Sequence, residues 1–251
     1  MPVVFANETL IPGLRDLWKK AFGDEDDFLD LFFGTAYAPD RCRCIVENGQ
    51  VQSALYWFDC ELEGQKIAYI YAVATDPACR GRGLCRMLME DTMQILRDRG
   101  YASAVLLPQE AWLINMYAGM GFVPCTTVTE KWYPAGEAIS VRKIGASEYA
   151  VLRREYLPAG GVVQEGENMA FLAELAEFYE GGGFIAAAAV DGKEMWCPEF
   201  LGDSDKVSGL AKTLGFPAGR ARMPGKDRQF VMIRLLSENG KKPSYFGLVF
   251  D

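Results

Sequence analysis

The order of segments in residues 66–108 constrains the fold more than any other stretch of the chain. The almost continuously apolar run KIAYIYAVAT at 66–75 precedes the loop DPACRGRG at 76–83, after which apolar residues recur at spacings of three and four. The apolar run predicts a central strand covered on both faces, and the spacing predicts an amphipathic helix. That helix ends in a basic turn with Gly100, before a second apolar run, YASAVLLP. Strand, glycine loop, helix and strand form a βαβ unit with its loop at the carboxyl end of a central strand.

The segments around this unit predict an α/β (α+β) domain over residues 1–135, a mixed central sheet flanked by helices. Apolar residues at helical spacing predict helices at 9–22 and 26–37, and acids concentrate between them, where they favour a helix N-terminus. Residues 42–47 and 51–62 are predicted as strands. The other elements predicted for this half are a helix at 110–120 and a strand at 126–133.

A second, smaller α/β domain is predicted for residues 136–251, because Pro134 and Gly136 interrupt the pattern. Its predicted helices lie at 147–157, 168–180 and 204–214. Its predicted strands lie at 139–144, 184–190, 194–200, 219–223, 228–236 and 245–250.

One internal echo connects the two halves. A helix followed by Met120-Gly121-Phe122 in the first half matches a helix followed by Leu214-Gly215-Phe216 in the second, and the surrounding order of elements agrees. The second half is therefore predicted to be a degenerate copy of the first. Ala211 stands four residues before Gly215, where the first half has Tyr117, and no glycine-rich loop lies between 184 and 202.

Composition excludes several classes of protein. A net charge of −8 argues against a nucleic-acid partner, because phosphate backbones need a broad basic surface. The chain has no histidine and seven scattered cysteines, so the usual zinc spacings are missing and no metal is expected. No run approaches the roughly 18 apolar residues of a membrane span, and the N-terminus lacks the pattern of a signal peptide. We therefore expect a cytoplasmic protein that does not bind a membrane. The sequence leaves its oligomeric state open.

Residues 80–86 form a basic cluster in this acidic chain, with Arg80, Arg82 and Arg86 and no acid among them. At a helix N-terminus the first N–H groups lack partners and the dipole is positive, so an anion can bind there, and glycines let the backbone approach it. The spacing fits neither the Rossmann pattern nor a Walker loop. On its own, the cluster is equally consistent with an ordinary βα turn whose arginines are solvated.

The span from Tyr69 to Phe122 resembles the GNAT superfamily of acetyl-CoA-dependent N-acyltransferases. The matching residues are Val73-Ala-Thr-Asp-Pro77, then Gly81-Arg-Gly83, and finally Tyr117-Ala-Gly-Met-Gly-Phe122. The resemblance implies a GNAT fold, acetyl-CoA as co-substrate, and a distant similarity to tandem acetyltransferases of the Eis type.

Two positions depart from the family's pattern. Ala78 occupies the first position of the loop motif, which is Arg or Gln in the family, and Arg80 is the replacement cation two residues later. Glu110 stands where an Asn often opens the second helix.

The resemblance also implies a binding site for acetyl-CoA. The backbone of Val73, Ala74 and Thr75 is expected to pair with the pantetheine arm as a strand edge pairs with an added strand. The N–H groups of the loop and first helical turn are expected to cradle the pyrophosphate, with arginine side chains supplying charge. The expected loop contacts are Arg80, Gly81, Arg82, Gly83, Leu84, Cys85 and Arg86.

For the chemistry, the resemblance implies Tyr117 as the general acid that protonates the leaving thiolate. A phenol with a pKa near ~10 can stay protonated until a thiolate of pKa near ~8.5 needs the proton. An alkylamine acceptor of pKa about 10.4 must lose a proton, which at pH 7 costs about 4 to 5 kcal/mol. The base is then a carboxylate, a bound water or desolvation of the amine, and the candidate carboxylates are Asp59, Glu61 and Asp251.

Asp251 is a candidate because the terminal carboxylate reaches the transfer site in Eis-type enzymes. Tyr69 and Tyr71, alternating along the central strand, are candidates for the acceptor pocket, although strand tyrosines are as often only packing. The second domain would not bind CoA and would cover the acceptor side.

Three functions remain open from the sequence. The leading one is an N-acetyltransferase that moves the acetyl group of acetyl-CoA to a primary amine of a small, cationic acceptor by direct attack. The others are a non-catalytic acyl-CoA-binding or sensing protein and an aminoacyl transferase of the tandem-domain kind.

Overall fold

In the computed structural model, which describes residues 2–250, the chain divides into two compact units. Unit 1 holds the residues up to Val123 together with Met232–Lys241, and unit 2 holds Pro124–Val231 together with the residues from Lys242 onward. The domain boundary predicted between residues 135 and 136 therefore falls inside a continuous segment of unit 2. No feature of the sequence pattern predicts the return of the chain to unit 1.

The described residues form seven α-helices and fifteen β-strands. The helices are α1 (Ile11–Phe22), α2 (Asp26–Thr35), α3 (Leu84–Asp98), α4 (Ala111–Ala118), α5 (Ala146–Tyr156), α6 (Glu167–Leu175) and α7 (Val207–Thr213). The strands are β1 (Val3–Phe5), β2 (Cys42–Glu47), β3 (Gln50–Leu62), β4 (Gln65–Thr75), β5 (Ser103–Leu106), β6 (Val123–Pro124), β7 (Thr127–Pro134), β8 (Val141–Ile144), β9 (Val163–Gln164), β10 (Glu177–Gly181), β11 (Phe184–Asp191), β12 (Glu194–Gly202), β13 (Ala218–Pro224), β14 (Arg228–Gln229) and β15 (Met232–Leu235).

The sheet of unit 1 runs in the order β1-β2-β3-β4-β5-β15. Neighbouring strands are antiparallel except β4 and β5, which are parallel over Ile67–Tyr69 and Ser103–Val105. Helix α3 connects these two strands, so the predicted βαβ unit is confirmed. The predicted mixed α/β fold is confirmed with it.

Helix α3 packs on the sheet because its apolar residues form one face. Leu84, Leu88, Met89, Met93 and Leu96 are each at most 2% exposed and join strand residues in one hydrophobic cluster. Full burial of such a side chain contributes about 1.5–3 kcal/mol, so this face fixes the helix and with it the loop that precedes it.

The sheet of unit 2 runs in the order β14-β7-β13-β12-β11-β10-β8. Its only parallel pair among the described strands is β12 and β13, which are connected by α7. Apart from the two-residue β9, both units follow the same order: strand, two helices, three strands, helix, strand.

This order changes how the internal echo is aligned. Because α7 lies between parallel strands, it corresponds to α3 and not to α4. The N–H of Phe216 donates to the carbonyl of Ala211 (2.9 Å), and the same contact follows both α3 (Tyr101 to Leu96, 3.0 Å) and α4 (Phe122 to Tyr117, 3.1 Å). By the order of elements Ala211 lies on the helix that matches α3, and its alignment with Tyr117 stays a prediction.

A buried ion pair lies in the core of unit 2. The Arg153 guanidinium donates from Nε to Oε2 of Glu199 (2.6 Å) and from Nη2 to Oε1 (2.9 Å), and the two side chains are 1% and 0% exposed. Tyr149 donates its hydroxyl to the same carboxylate (3.0 Å), and Arg153 also donates to the carbonyl of Val162 (3.0 Å). The pair is therefore hydrogen-bonded on both sides, as a buried charge must be.

Three sequence predictions for unit 2 are wrong in detail. The helix predicted at 168–180 ends at Leu175, and the following residues form β10. The strand predicted at 228–236 is two strands, β14 and β15, in different sheets. Residues 245–250 form no strand, and only an isolated bridge joins Tyr245 to Gly161.

Within residues 2–250, no helix is both long and apolar enough to span a membrane.

Candidate functional site

Strand β4 is irregular near its carboxyl end. Ala72 has φ +46°, and between the pairs Tyr56–Tyr71 and Ala54–Ala74 two residues of β4 lie opposite one residue of β3. This is a β-bulge, which bends a strand and redirects its side chains. The bulge lies just before the residues predicted to contact pantetheine.

Beyond the bulge, one edge of β4 lacks a strand partner. β4 pairs with β5 only as far as Tyr69, whereas it pairs with β3 as far as Thr75. The carbonyl of Ala74 accepts from Oγ of Ser53 on β3 (2.7 Å). Because successive strand residues direct their main-chain groups to opposite edges, those of Val73 and Thr75 face the edge away from β3. That edge can accept an added extended chain.

The glycine loop and α3 together present unpaired N–H groups. Gly81 and Gly83 have φ +78° and +77°, and a Cβ at either would meet no heavy atom within 4 Å. Helix α3 follows directly, and no side chain caps its N-terminus. Within residues 2–250 the N–H groups of Leu84, Cys85 and Arg86 therefore have no partner, and they lie at the positive end of a long helix beside open space. This arrangement suits an anionic group such as a pyrophosphate.

The three arginines of the loop have different surroundings. The Arg82 guanidinium forms a fork with the carboxylate of Glu47 (3.1 and 3.3 Å), and Arg86 donates from Nη1 to the carbonyl of Gly119 (2.7 Å). The Arg80 guanidinium is exposed and has no hydrogen-bond partner within residues 2–250. The structure thus leaves Arg80 available, in place of the cation that is missing at Ala78.

Asp76 fixes the start of this loop. Its side chain accepts from the N–H of Ala78 (2.9 Å) and caps the short 3-10 turn Pro77–Cys79. The pKa of Asp76 is lowered, chiefly by this hydrogen bond and further by Lys20, which reaches it at 3.2 Å. The carboxylate therefore stays ionised and holds the turn that leads into the glycines.

Tyr117 lies on α4, and its side chain is only 6% exposed. Burial raises the pKa of its phenol, and the neighbouring Cys85 thiol raises it further. Its ring packs edge-on against Phe122, with ring centroids 6.0 Å apart. The Arg86–Gly119 hydrogen bond joins the turn after Tyr117 to the first turn of α3. Tyr117 thus lies close to the first turn of α3, and its role as the general acid stays a prediction.

Tyr69 and Tyr71 lie in an aromatic cluster of unit 1. Tyr69 is 3% exposed and stacks on Phe58, with centroids 5.9 Å apart, and Tyr71 contacts Trp18 and Phe32 at 5.8 Å each. These contacts show packing, and a role in the acceptor pocket stays a prediction for both tyrosines.

Two of the candidate carboxylates, Asp59 and Glu61, lie away from the glycine loop. Asp59 accepts from the Tyr101 hydroxyl, pairs with Lys66 (3.4 Å) and lies opposite Ala68. Ala68 is seven residues before Thr75, about 23 Å along a strand at roughly 3.3 Å per residue. Glu61 lies two residues further from the loop. Both therefore lie away from the loop, and a role as the base for the acceptor amine stays a prediction for both. Asp251 lies outside the described residues.

Arg234 is a residue at this site that sequence reasoning missed. It comes from β15 and donates to the carbonyl of Met120 (2.9 Å), in the turn after α4. Its distance along the chain from the motif hides it, because nothing in the local pattern around residue 234 indicates that β15 pairs with β5. Among the described residues, no group of three or more Cys, Asp or Glu side chains is placed to hold a metal ion.

A family model described as an acetyltransferase (GNAT) domain matches residues 3–125. A comparison of the sequence with curated proteins found no match.

Several solved structures share the fold over nearly the whole chain. A GCN5-related N-acetyltransferase from Kribbella flavida has a TM-score of 0.71 at 17% identity, covering 93% of this chain and 70% of its own. One from Anabaena variabilis has a TM-score of 0.71 at 14% identity, with coverages of 94% and 73%. Eis1 from Mycobacterium abscessus has a TM-score of 0.67 at 12% identity, with coverages of 94% and 74%. At these identities the similarity concerns the fold.

The family match and the shared fold agree with the geometry of the glycine loop. The chain therefore carries a GNAT acetyltransferase domain over residues 3–125, which makes it an acyltransferase of the GNAT type.

Proposed function

We propose that this protein transfers the acetyl group of acetyl-CoA to the primary amine of a small, cationic acceptor by direct attack. The observation that carries the proposal is the Arg86–Gly119 hydrogen bond, because it joins the uncapped N-terminus of α3 to the turn after Tyr117. An anion site and a buried acid are thereby held in one unit.

The proposed contacts with acetyl-CoA follow from the open edge and the loop. The outward main-chain groups of Val73 and Thr75 pair with the pantetheine amides, and Ala74 holds the strand against Ser53. The N–H groups around Gly81 and Gly83 bind the pyrophosphate, and Arg80 supplies a cation whose side chain is not already paired. Arg82 and Arg86 contribute charge from their existing hydrogen bonds.

The proposed chemistry uses Tyr117 as the acid. The amine nitrogen attacks the thioester carbonyl carbon, the C–S bond breaks, and the phenol proton passes to the leaving sulfur. The phenol carries its proton at neutral pH, and because burial raises its pKa it gives that proton up only to a thiolate that forms directly beside it in the same buried site. The amine proton leaves to a water or to a carboxylate, for which Asp251 remains our candidate.

The acceptor class rests on charge. The net charge of −8 favours encounter with cations, and the basic cluster at residues 80–86 lies in the loop proposed to bind acetyl-CoA. Polyamines and aminoglycosides have this character.

We also propose that unit 2 is a degenerate copy that does not bind acetyl-CoA. The order of elements is shared, but the connection between β12 and α7 is the acidic 3-10 turn Ser204–Lys206 without glycine. Asp203 accepts from the N–H of Asp205 (3.1 Å), and α7 has only seven residues. This turn is acidic, and Asp203 already occupies one of its N–H groups. It would therefore repel a pyrophosphate, which the loop of unit 1 can bind.

The experiment is a thermal-shift measurement with acetyl-CoA, followed by thiol release over a panel of polyamines, aminoglycosides and amino acids. Y117F serves as the matched variant, since it lacks only the hydroxyl and should still bind acetyl-CoA. We expect stabilisation of both proteins and thiol release by the wild type with a cationic amine. Stabilisation without release for any amine would favour the acyl-CoA-sensing function instead.

A further inference from the structure

Two arginines from distant parts of the chain bind the turn after α4. Arg86 of α3 donates to the carbonyl of Gly119 (2.7 Å), and Arg234 of β15 donates from Nη1 to the carbonyl of Met120 (2.9 Å). Carbonyl groups at the end of a helix lack partners and carry the negative end of its dipole, so guanidinium groups suit them. We name Arg86 and Arg234 the α4 clamp.

Arg234 is itself held in one orientation. Its Nη1 and Nη2 form a fork with Oε1 and Oε2 of Glu90 on α3, at 2.9 Å each, and its side chain is 16% exposed. The hydrogen bond from Arg234 lowers the pKa of Glu90, so the carboxylate stays ionised. A planar guanidinium in such a fork has little freedom to leave the Met120 carbonyl.

Gly121 gives the Arg234 side chain its room. The residue has φ +84°, and a Cβ built on it would lie 3.4 Å from Nε of Arg234. Glycine at this position therefore allows both the left-handed turn and the close approach of the guanidinium.

The clamped turn determines where Tyr117 lies. The N–H groups of Met120 and Phe122 donate to the carbonyl of Tyr117, at 2.9 and 3.1 Å, and the Phe122 ring packs on the Tyr117 ring. The turn is thus bonded to Tyr117 on one side and to both arginines on the other. Arg86 belongs to α3, and Arg234 pairs with Glu90 of α3. Both arginines therefore connect the turn, and with it Tyr117, to that helix.

We infer that Arg234 is a positioning residue for acyl transfer: with Glu90 it holds the Met120 carbonyl and thereby keeps the Tyr117 hydroxyl in place relative to the N-terminus of α3. The inference rests on the proposed role of Tyr117 as general acid. A misplacement of about 1 Å in a catalytic group can cost on the order of 100-fold in rate, so a residue acting only through Tyr117 can still control kcat.

The chain offers a matched control for Arg234. Arg43 on β2 forms an ion pair with Asp91, the residue next to Glu90 on α3, and its side chain is 6% exposed. R43Q removes an ion pair to the same helix without touching the turn after α4. R234Q and R43Q therefore differ in their contact with that turn.

The experiment combines amide hydrogen exchange with a double-mutant cycle in the full chain. Exchange is followed in residues 117–122 for the wild type, R234Q, R234K and R43Q. Steady-state thiol release from acetyl-CoA, with the best amine of the panel, is measured for these proteins and for Y117F, Y117F/R234Q and Y117F/R43Q.

We expect R234Q to raise exchange in residues 120–122 and to lower kcat by about 10-fold or more, with the KM for acetyl-CoA changed less than about threefold. R234K keeps one charged donor, so its exchange and its kcat should lie between those of the wild type and of R234Q. In the Y117F background R234Q should cost no more than about twofold, whereas any effect of R43Q should be the same in both backgrounds.

A wild-type kcat for R234Q, or an equal loss in the wild-type and Y117F backgrounds, would overturn the inference. Y117F that turns over like the wild type would overturn the acid role and the inference with it. If none of the amines in the panel causes the wild type to release thiol, the proposed function fails. Unchanged exchange in R234Q would then separately show that Arg234 does not hold the turn.

Discussion

The Nη1 atom of Arg86 lies 2.7 Å from the carbonyl oxygen of Gly119, so a residue of the first turn of α3 also holds the helix of Tyr117. Arg82, four residues earlier, pairs instead with Glu47 at the surface. The two arginines should therefore differ in what their loss does to catalysis.

R86Q is expected to raise the KM for acetyl-CoA and to lower kcat, each by about 10-fold, because it removes a charge near the pyrophosphate and a bond that positions Tyr117. R82Q should raise KM by only about threefold and leave kcat unchanged, since it removes charge alone. Steady-state kinetics in acetyl-CoA would check this. Equal effects of the two variants on kcat would contradict the role of the Gly119 contact.

Valine at Gly81 or Gly83 should weaken acetyl-CoA binding by about 10-fold or more. Each side chain would fill the open space above the loop, and a left-handed backbone costs an L-residue roughly 1 kcal/mol. Gly64, in the turn at the other end of β4, has φ +80° and equally open space, so G64V is the control. G64V should lower the melting temperature similarly and bind acetyl-CoA normally in calorimetry. Normal binding by both G81V and G83V would contradict the cradle.

The phenol of Tyr117 should remain protonated at pH values where exposed tyrosines ionise, near ~10. Its pKa is raised by burial, so the folded state holds the proton more tightly than the unfolded state. The contribution to stability is therefore fully present below the unfolded pKa and is lost as the pH rises toward the folded pKa. Phenolate absorbance at 295 nm should rise identically for the wild type and Y117F up to about pH 11. An additional phenolate in the wild type near pH 10 would contradict the burial effect.

E199Q should destabilise the protein by about 3–5 kcal/mol, because it leaves the guanidinium of Arg153 buried and unpaired. The doubly apolar variant R153M/E199M should recover much of that loss, since no charge remains to be compensated. The exposed pair of Arg142 and Glu148 provides the control, and E148Q should leave the urea midpoint unchanged. An E199Q protein as stable as the wild type would show that the buried pair contributes little.

The sequence predicts the fold best where local pattern and tertiary structure agree. The run at 66–75, the glycine loop and the amphipathic helix each have a local signature, and the resemblance to GNAT enzymes depends on that segment. The helix prediction is wrong at residues 177–181 because FLAELAEFYEGG has helical spacing, whereas pairing with residues 141–144 and 184–188 makes these residues a strand. Such pairing partners are non-local and leave no trace in a short window.

The site is predicted in part for the same reason. The loop glycines and Tyr117 belong to motifs, but the orientation of their side chains depends on contacts from elsewhere. Asp59 is a candidate base by its residue type, but its place in the sheet depends on its register opposite Ala68, which no local pattern shows. Arg234 could be found only from the pairing of β15 with β5.

A fragment of residues 1–135 should fail to fold into an acetyl-CoA-binding protein. It lacks β15, whose Met232 and Ile233 are 1% and 0% exposed, and so leaves an edge of β5 unpaired. It also keeps β7, which belongs to the sheet of unit 2. Circular dichroism and a thermal shift with acetyl-CoA would test the fragment against the full chain. A soluble fragment with normal acetyl-CoA binding would contradict this expectation.

Strand β15 also sets the order of events during synthesis. The sheet of unit 1 needs residues 232–235 to be complete, so it cannot close until those residues have left the ribosome. Domains usually fold from the N-terminus as they emerge. Here unit 1 must wait, with the edge of β5 exposed, for a strand that is translated after most of unit 2.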